Sequence, residues 1–360
     1  MKKALKIIGI VIGAIVVLAL IYVAYFFISF DRLEDNIELE VEAQQTSYVQ
    51  KVYTGEEMRI TSYNIGFGAY SDDYSFFMDG GTESRARSED AVYENVGGAV
   101  SVINERDPDI ALFQEVDIDG TRSYHIDERE IIKSEINNFE ALNSVFAQNY
   151  DSPYLLYPLT SPHGANKAGI MTFSKYCISL AIRRSLPIET GISKVMDLDR
   201  CYSKSRISME SGKELVIYNM HLSAYTSNAE TAENQLAMII EDMQAEYDDG
   251  NYCIAGGDFN RDLLINSPEI FDTETIEDNW AQPVNTELFT DDIQLVAPFN
   301  EDNPVASCRN ADKPYEEGNF VVTVDGFIVS ANVEVVESDV IDTGFEYSDH
   351  NPVYLDFILK

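Results

Sequence analysis

From residue 58 onward, short apolar runs alternate with longer stretches that carry the spacing of amphipathic helices. Residues 91–107 and 229–250 are predicted helices, the first ending before a proline and the second at a glycine. The apolar runs predict strands at 58–66, 109–116, 168–176, 204–210, 213–222, 251–259, 319–337 and 351–359. Neither an internal repeat nor a break in composition interrupts this pattern, which therefore predicts one α/β domain.

The first apolar segment, residues 7–29, has 23 positions without a charged side chain. A helix needs about 20 such residues to cross the hydrocarbon core of a bilayer. A cleaved secretory signal peptide is the competing interpretation, but its apolar region usually has about 7 to 15 residues. Since no clear small-x-small cleavage site precedes Asp31, we predict an uncleaved transmembrane signal anchor.

The charges that flank this anchor predict its orientation. Lys2, Lys3 and Lys6 precede the apolar segment, and acidic residues dominate after it. The positive-inside rule then places residues 1–6 in the cytoplasm and the rest of the chain outside. Residues 30–57 are polar and acidic, and we expect them to form a stalk, in part helical, that leads to the domain of residues 58–360.

The chain is strongly acidic, with a net charge of −37. Four basic residues against one acidic residue in the first 32 positions leave −40 on residues 33–360. Such a surface repels polyanions at long range, so the charge disfavours nucleic acid as a partner without excluding it. A local positive groove stays open, because several basic residues lie near the motifs described below: Arg85, Arg87, Arg122, Lys167, Lys204, Arg206 and Arg261.

The four cysteines do not have the spacing of a zinc site. Cys177 and Cys253 lie in apolar runs, so we expect both in the core. A disulfide between Cys201 and Cys308 is an option outside the cell, but sequence does not establish pairing. The oligomeric state is not predicted.

Polar residues stand at the ends of six predicted strands. Gly, Asp and Asn are ordinary turn residues, so any one of these positions is weak support for a site. Two of the four histidines of the chain nevertheless belong to the set, which consists of Asn64, Glu115, His221, Asp258 with Asn260, Asp325, and Asp349 with His350.

These residue types suit one chemistry. Glu115, with Asn64 and Asp349, offers oxygen ligands for Mg²⁺ or Mn²⁺. A carboxylate beside a histidine fixes its tautomer and raises its basicity, and Asn260 with His221 can donate hydrogen bonds to a phosphate oxygen. Together they predict metal-assisted attack of water on a phosphoester.

The motifs "SYNI", "FQEVD", "YNMHLSA", "GGDFN", "VDGFIVS" and "YSDHNPV" occur in this order across residues 58–360. In this respect the chain resembles the endonuclease/exonuclease/phosphatase superfamily, which includes DNase I, neutral sphingomyelinases and inositol-polyphosphate 5-phosphatases. The resemblance implies a four-layer α/β sandwich, in which two packed mixed β-sheets carry helices on their outer faces.

The resemblance also implies roles for the matching residues. Glu115 would be the principal metal ligand, with Asn64 beside it and Asp349 supporting the metal side. His350, oriented by Asp325, would be the general base or its electrostatic equivalent. The other three matching residues would act on water and phosphate: Asp258 would position or deprotonate the attacking water, and Asn260 and His221 would bind the phosphate.

One departure from DNase-like members concerns His221. These members carry an acidic residue in an early strand that orients the corresponding histidine, and the matching segment here, "NKAGIMTF", has none. The group that orients His221 is therefore left open.

Several other residues allow two interpretations, either lining the pocket or lying on an ordinary surface. Residues 70–90 form an insertion after Asn64, of the kind that often sets specificity at an active-site rim, and its Phe76 and Phe77 would contact lipid or pack on the domain. The remaining ambiguous residues are Arg122, Tyr124, His125, His163, Asn166 and Lys167.

The sequence thus favours a membrane-anchored, Mg²⁺-dependent phosphodiesterase or phosphatase that faces outward and acts on a small or lipid phosphoester. A surface-anchored nuclease is the alternative within the enzyme class. A protein that keeps the fold for binding without turnover is the alternative of a different class, although the complete polar set argues against it.

Overall fold

The computed structural model describes residues 2–29, 32–43, 51–137, 143–188, 199–224, 229–276 and 279–360. Helix α1 (Lys2–Ile28) is long and apolar enough to cross a membrane, and none of its residues is buried by the rest of the protein. Its composition agrees with the predicted anchor, while the orientation of the anchor stays a prediction.

Two seven-stranded sheets form the centre of the fold. The strands of sheet one are β1 (Ile37–Glu38), β7 (Ile178–Ser185), β8 (Cys201–Ser208), β9 (Glu214–His221), β10 (Tyr252–Asp258), β11 (Ile293–Val296) and β14 (Asp325–Ser330). They are ordered β1-β7-β8-β9-β10-β14-β11, and the sheet is mixed because β9 and β10 are parallel.

Sheet two is also mixed, since its central strands β3 and β4 are parallel. Its strands are β2 (Val41–Ala43), β3 (Glu57–Asn64), β4 (Ile110–Gly120), β5 (Asn143–Asp151), β6 (Asn166–Ser174), β15 (Val333–Val340) and β16 (Val353–Leu359). They are ordered β15-β16-β3-β4-β6-β5-β2. A separate two-stranded sheet contains β12 (Cys308–Arg309) and β13 (Val321–Val322).

Helices cover the outer face of each sheet. They are α2 (Glu89–Arg106) and α3 (Glu128–Glu135) on sheet two and α4 (Ala229–Asp248) on sheet one. The short α5 (Ser267–Ile270) contacts β13, and 3₁₀ turns occur at Gly66–Gly68, Phe77–Asp79 and Thr286–Leu288. The side chain of Ser88 accepts a hydrogen bond from the backbone of Ala91 at the start of α2, and Asp107 ends that helix in a left-handed conformation before Pro108. The predicted end of this helix is therefore confirmed.

Alternating side chains along the strands produce the layers, since neighbouring residues of a strand point to opposite faces. In β4, Ile110 and Leu112 join a core between the sheets, whereas Ala111 and Phe113 join a second core under α2 and α3. A third core lies between sheet one and α4. Helix, sheet, sheet and helix make the predicted four-layer sandwich, and burial of each large aliphatic side chain contributes about 1.5–3 kcal/mol.

Two expectations from the sequence are wrong. Within residues 32–43 the expected stalk contains strands rather than helix, because β1 pairs with β7 and β2 pairs with β5; residues 44–50 lie outside the described part. Cys177 is exposed rather than in the core. The pairing of Cys201 with Cys308, which the sequence left open, does not occur in the structure, because all four cysteines are free.

Candidate functional site

The strand register brings the polar residues at the strand ends to one edge of the sandwich. In sheet two, Asn64 at the end of β3 is opposite Gln114, so Glu115 follows within β4 at the point where its pairing with β3 ends. In sheet one, Asp258 is opposite His221 in parallel β9 and β10. Asp325, the first residue of the antiparallel β14, is opposite Asp258 on its other side.

The segment that carries Asp349 and His350 is held at the same edge by the small sheet. His350 forms an isolated bridge with Cys308, and the backbone N–H of Arg309 donates to the carbonyl of Asp349 at 2.9 Å. The hydroxyl of Ser348 donates to the backbone carbonyl of Asn64 at 2.8 Å. The last motif of the chain is thereby attached directly to the end of β3.

Asp325 and His350 form a buried ion pair. Nδ1 of His350 lies 2.7 Å from Oδ2 of Asp325, and both side chains are almost inaccessible. The hydroxyl of Ser307 donates to the same Oδ2 at 2.8 Å and accepts from the backbone of Val324 and Asp325. Burial lowers the pKa of His350, but the charge and the hydrogen bond of Asp325, together with the neighbouring Cys308, outweigh burial and hold this pKa well above the ordinary value.

The carboxylate of Asp258 contacts site residues from both sheets. Its Oδ2 accepts a hydrogen bond from Nδ2 of Asn64 at 3.1 Å and lies 3.3 Å from Nε2 of His221 and 3.8 Å from Nε2 of His350. Its Oδ1 accepts from the backbone N–H of Asn260 at 2.8 Å. Burial, together with the charge of Asp325, raises the pKa of Asp258 to about 7.

Two residues of the site have left-handed backbone conformations, which are costly for side chains other than glycine. Glu115 has φ 56° and lies in a bulge of β4, and Asn260 has φ 51°. The bulge directs the Glu115 side chain away from the regular alternation of the strand. The amide of Asn260 donates to the carbonyl of Leu222 at 2.8 Å, which anchors it beside Asp258.

Glu115 and Asp349 supply the oxygen donors that suit a hard cation. Oε1 of Glu115 has a contact of 3.5 Å with Nδ2 of Asn64. Burial raises the pKa of Asp349, and the nearby charge of Glu115 adds to this rise. Partly buried carboxylates whose charges act on one another provide the oxygen donors that a divalent cation prefers, so the residues present suit the expected Mg²⁺ or Mn²⁺.

The amide nitrogen of Asn64, rather than its oxygen, faces the carboxylates of the site. Its Oδ1 accepts a hydrogen bond from the backbone of Gly66 at 3.1 Å, and its Nδ2 faces Glu115 and Asp258. In this arrangement Asn64 orients the carboxylates rather than offering its own oxygen. Its predicted role as a ligand stays a prediction.

A second group of potential metal ligands consists of Asp258, Asp325 and His350, whose donor atoms lie within 4.8 Å of one another. Oδ2 of Asp325 is already bonded to Ser307 and to His350. We therefore interpret this group as a hydrogen-bonded chain for handling protons, and we regard the Glu115 side as the better metal position.

The group that orients His221 is not found in the described residues, where Nδ1 of His221 has no hydrogen-bond partner. Burial and then the charge of Arg200 hold the pKa of His221 well below its ordinary value. Because Nδ1 is inaccessible to solvent, the neutral His221 faces the site through Nε2, which lies 3.3 Å from Oδ2 of Asp258.

Sequence reasoning missed Ser307 and Arg200. Arg200 is buried, and its charge acts on both His221 and Asp258. Its position directly before β8, the strand that pairs with β9, brings it to the end of the sheet near His221. Neither residue lies in a motif quoted from the sequence, and only the pairing of distant strands reveals them.

The residues that allowed two interpretations do not line the site as a group. Arg122 is buried and pairs with Asp117 at 2.7 Å, while the exposed His125 pairs with Asp119. Lys167 pairs with Asp151 at 3.5 Å. The remaining residues stabilise the fold. Asn166 accepts a hydrogen bond from the backbone N–H of Arg122, and the hydroxyl of Tyr124 donates to the backbone carbonyl of Arg87. The rings of Phe76, Phe77 and His163 pack together.

The geometry defines a class of protein: an α/β sandwich whose two sheets bring their polar strand ends together in one buried acidic site. The sequence profile of the Endonuclease/Exonuclease/phosphatase family matches residues 61–350. The chain therefore belongs to this family, whose members hydrolyse phosphoesters. No curated protein matches the sequence at a significant level.

Solved structures share the fold at low sequence identity. An endonuclease/exonuclease/phosphatase from Beutenbergia cavernae DSM 12333 is 15% identical with a TM-score of 0.55, and the match covers 84% of this chain and 72% of that one. A family protein from Bacteroides thetaiotaomicron is 13% identical with a TM-score of 0.53, covering 87% and 97%. ANGEL2, a 2′,3′-cyclic phosphatase, is 13% identical with a TM-score of 0.53, covering 91% and 99%.

The buried pair of Asp325 and His350 gives the first prediction. Asp325→Asn and His350→Ala should each reduce kcat at least about 10²-fold, the usual scale when a group that stabilises charge in the transition state is lost. The double variant should be scarcely slower than the slower single variant, because residues that act as a unit are not additive. Steady-state kinetics of the three variants checks this, and multiplicative losses would contradict it.

Proposed function

We propose that this protein is a membrane-anchored, Mg²⁺-dependent phosphoester hydrolase whose catalytic domain lies outside the cytoplasm. The observation that carries the proposal is the buried chain from Asp325 through His350 to Asp258, which ends beside the carboxylate of Glu115. A binding protein on the same fold has no need to keep these groups buried against their desolvation cost.

In the proposed reaction, Asp258 accepts a proton from the attacking water, whose oxygen bonds to phosphorus as the bond to the leaving oxygen breaks. A carboxylate with a pKa of about 7 suits this role. His350, charged beside Asp325, stabilises the negative charge that develops on the phosphate. The raised pKa of His350 favours this electrostatic role over that of general base.

Two further groups would hold the phosphate. Nε2 of His221 and Nδ2 of Asn260 both lie beside the carboxylate of Asp258. Mg²⁺ or Mn²⁺ bound at Glu115 and Asp349 would supply positive charge to the phosphoester. Asn64 would orient Glu115 through its amide nitrogen, and Ser307 would fix the carboxylate of Asp325.

We further propose a lipid headgroup or another small phosphoester as the substrate, because a long nucleic acid needs free cations on the protein surface. The seven basic residues that lie near the motifs are all engaged: Lys204 and Arg206 with Glu246, Arg122 with Asp117, Arg87 with Asp73, Lys167 with Asp151, Arg85 with the carbonyl of Pro162, and Arg261 with that of Asn260. Duplex DNA would meet a surface dominated by carboxylates.

The metal dependence gives the second prediction. Glu115→Gln should reduce hydrolysis of a chromogenic phosphodiester by at least about 10²-fold, a loss of the size expected when transition-state charge is no longer stabilised. Glu334→Gln, an exposed position on β15, is the matched control and should leave the rate unchanged. Chelation with EDTA should abolish the wild-type rate and added Mg²⁺ should restore it; full activity in excess EDTA would contradict the proposal.

The orientation gives the third prediction. Cys177 is exposed, whereas Cys201, Cys253 and Cys308 are buried. A membrane-impermeant maleimide should therefore label the wild-type protein in intact cells, and the Cys177→Ser variant should show no labelling. Labelling of Cys177 only after lysis would place the domain in the cytoplasm.

A further inference from the structure

The segment between β5 and β6 is an exposed apolar loop. Residues 152–162 carry no charged side chain in a chain of net charge −37. Its tip exposes large apolar side chains, in fractions that are unusual for a folded domain: Tyr154 37%, Leu156 42%, Tyr157 68% and Leu159 82%. We define residues 154–159 as the apolar loop.

The apolar loop is hydrogen-bonded to the last turns of α1. The hydroxyl of Tyr22 donates to the carbonyl of Tyr154 at 3.1 Å and accepts from the N–H of Leu156 at 3.3 Å, while the hydroxyl of Tyr25 accepts from the N–H of Tyr154 at 3.0 Å. At about 1.5 Å per residue, Tyr25 lies roughly 4.5 Å and Tyr22 roughly 9 Å before Ile28 along the helix axis. Tyrosines at this depth from the end of a span occupy the membrane interface.

The same loop lies at the catalytic edge of the sandwich. Because β4 runs antiparallel to β6, and β6 antiparallel to β5, the connection between β5 and β6 lies at the end of the sheet where β3 and β4 end. A series of packed rings connects the loop to the site. The ring centroids of Tyr157 and Phe77 are 5.7 Å apart, and those of Phe77 and His163 are 5.8 Å apart. The centroid of His163 is 6.4 Å from that of Phe67, which follows Asn64 by three residues.

We propose that the apolar loop is seated in the headgroup region of the bilayer that α1 spans, and that it holds the catalytic edge against that lipid surface. The proposal depends on the proposed function in one respect, namely that α1 spans a membrane. The contact with the two tyrosines selects this occupant, because it fixes the loop at the depth of the outer interface. The N–H groups of Tyr154 and Leu156 are satisfied by tyrosine hydroxyls, as backbone near hydrocarbon requires.

A consequence follows for the substrate. A site whose rim rests on a bilayer receives molecules from that surface, so the substrate class is the phosphoester of a lipid headgroup in the same leaflet. The uncharged loop also allows the contact, since most of the domain surface is acidic and would be repelled by an anionic leaflet.

The depth of the loop is the decisive measurement, and it does not depend on activity. The full chain carrying Cys177→Ser and Leu159→Cys is labelled with an environment-sensitive fluorophore and reconstituted into phosphatidylcholine vesicles. We expect quenching by doxyl-labelled lipid and protection from aqueous iodide. The control carries the same fluorophore at Ser211→Cys, on the exposed turn between β8 and β9. This turn lies at the end of sheet one away from the catalytic edge, so its probe should be quenched by iodide alone.

Two outcomes would overturn the inference. If iodide quenches the probes at positions 159 and 211 equally, the loop is in water. If the probe at 159 is protected from iodide but is also not quenched by doxyl lipid, a second copy or another protein covers the loop instead of lipid.

The consequence for the substrate has its own test. Replacing Leu156 and Leu159 by Ser should reduce kcat/KM for phospholipid in vesicles by about tenfold or more, because interfacial binding scales with buried apolar area. Hydrolysis of a water-soluble phosphodiester should be unchanged. The matched control replaces Val335 and Val336 by Ser, since these exposed apolar residues of β15 lie outside the loop.

The outcomes separate this inference from the proposed function. An equal loss on both substrates would mean that the loop supports the fold rather than lipid access, and would contradict the inference. A wild-type protein that prefers plasmid DNA to phospholipid at about 0.15 M salt, where exposed charges are screened, would refute the lipid substrate. A wild-type protein that hydrolyses nothing would refute the proposed function, and the quenching result would still decide where the loop lies.

Discussion

The site depends on a buried amide contact that holds the two sheets in register. Nε2 of Gln114, in sheet two, donates to Oδ1 of Asn219, in sheet one, at 2.8 Å, and Nδ2 of Asn219 donates to the carbonyl of Met171 at 2.9 Å. Gln114 directly precedes Glu115, and Asn219 lies two residues before His221. A buried amide left without its partner costs about 1–3 kcal/mol, so the sheets do not slide past one another without a penalty, and the metal side and the phosphate side of the site keep a fixed separation.

The contact between Gln114 and Asn219 fixes a register that places acidic groups close together. Hydrogen bonds to these groups offset part of the cost of burying them. Asp258 is bonded to Asn64 and Asn260, and Asp325 to Ser307 and His350. The left-handed backbone at Glu115 and at Asn260 shows that the fold also accepts local strain at this edge. Such strain and buried charge are costs to stability that a hydrolase accepts for function, since charges fixed before the reaction need little rearrangement during it.

The strands and the site residues were predictable from the sequence because both follow from local patterns. Short apolar runs indicated β3, β4, β9 and β10, and the polar residues at the ends of these runs indicated the candidate residues Asn64, Glu115, His221 and Asp258. Parallel pairing then brings the first two together in sheet two and the last two together in sheet one. Local patterns do not reveal Ser307, which acts on a residue 18 positions away, or Arg200, which reaches the site through strand pairing. The short strands β1 and β2 form only by pairing with β7 and β5, and the exposure of Cys177 reflects a turn inside an apolar run. The resemblance to the family supplied the roles, which geometry alone does not assign.

Binding of Mn²⁺ tests the central claim most directly, because it needs no knowledge of the substrate. Electron paramagnetic resonance of the full chain, titrated with Mn²⁺, distinguishes free from bound ion. The account predicts that the wild-type protein binds Mn²⁺ in competition with Mg²⁺ and that Glu115→Gln loses this binding, while Glu334→Gln retains it. Binding that is equal in wild type and Glu115→Gln, or its absence from the wild type at millimolar Mn²⁺, would contradict the assignment of Glu115 as the principal ligand of a metal-dependent phosphoester hydrolase.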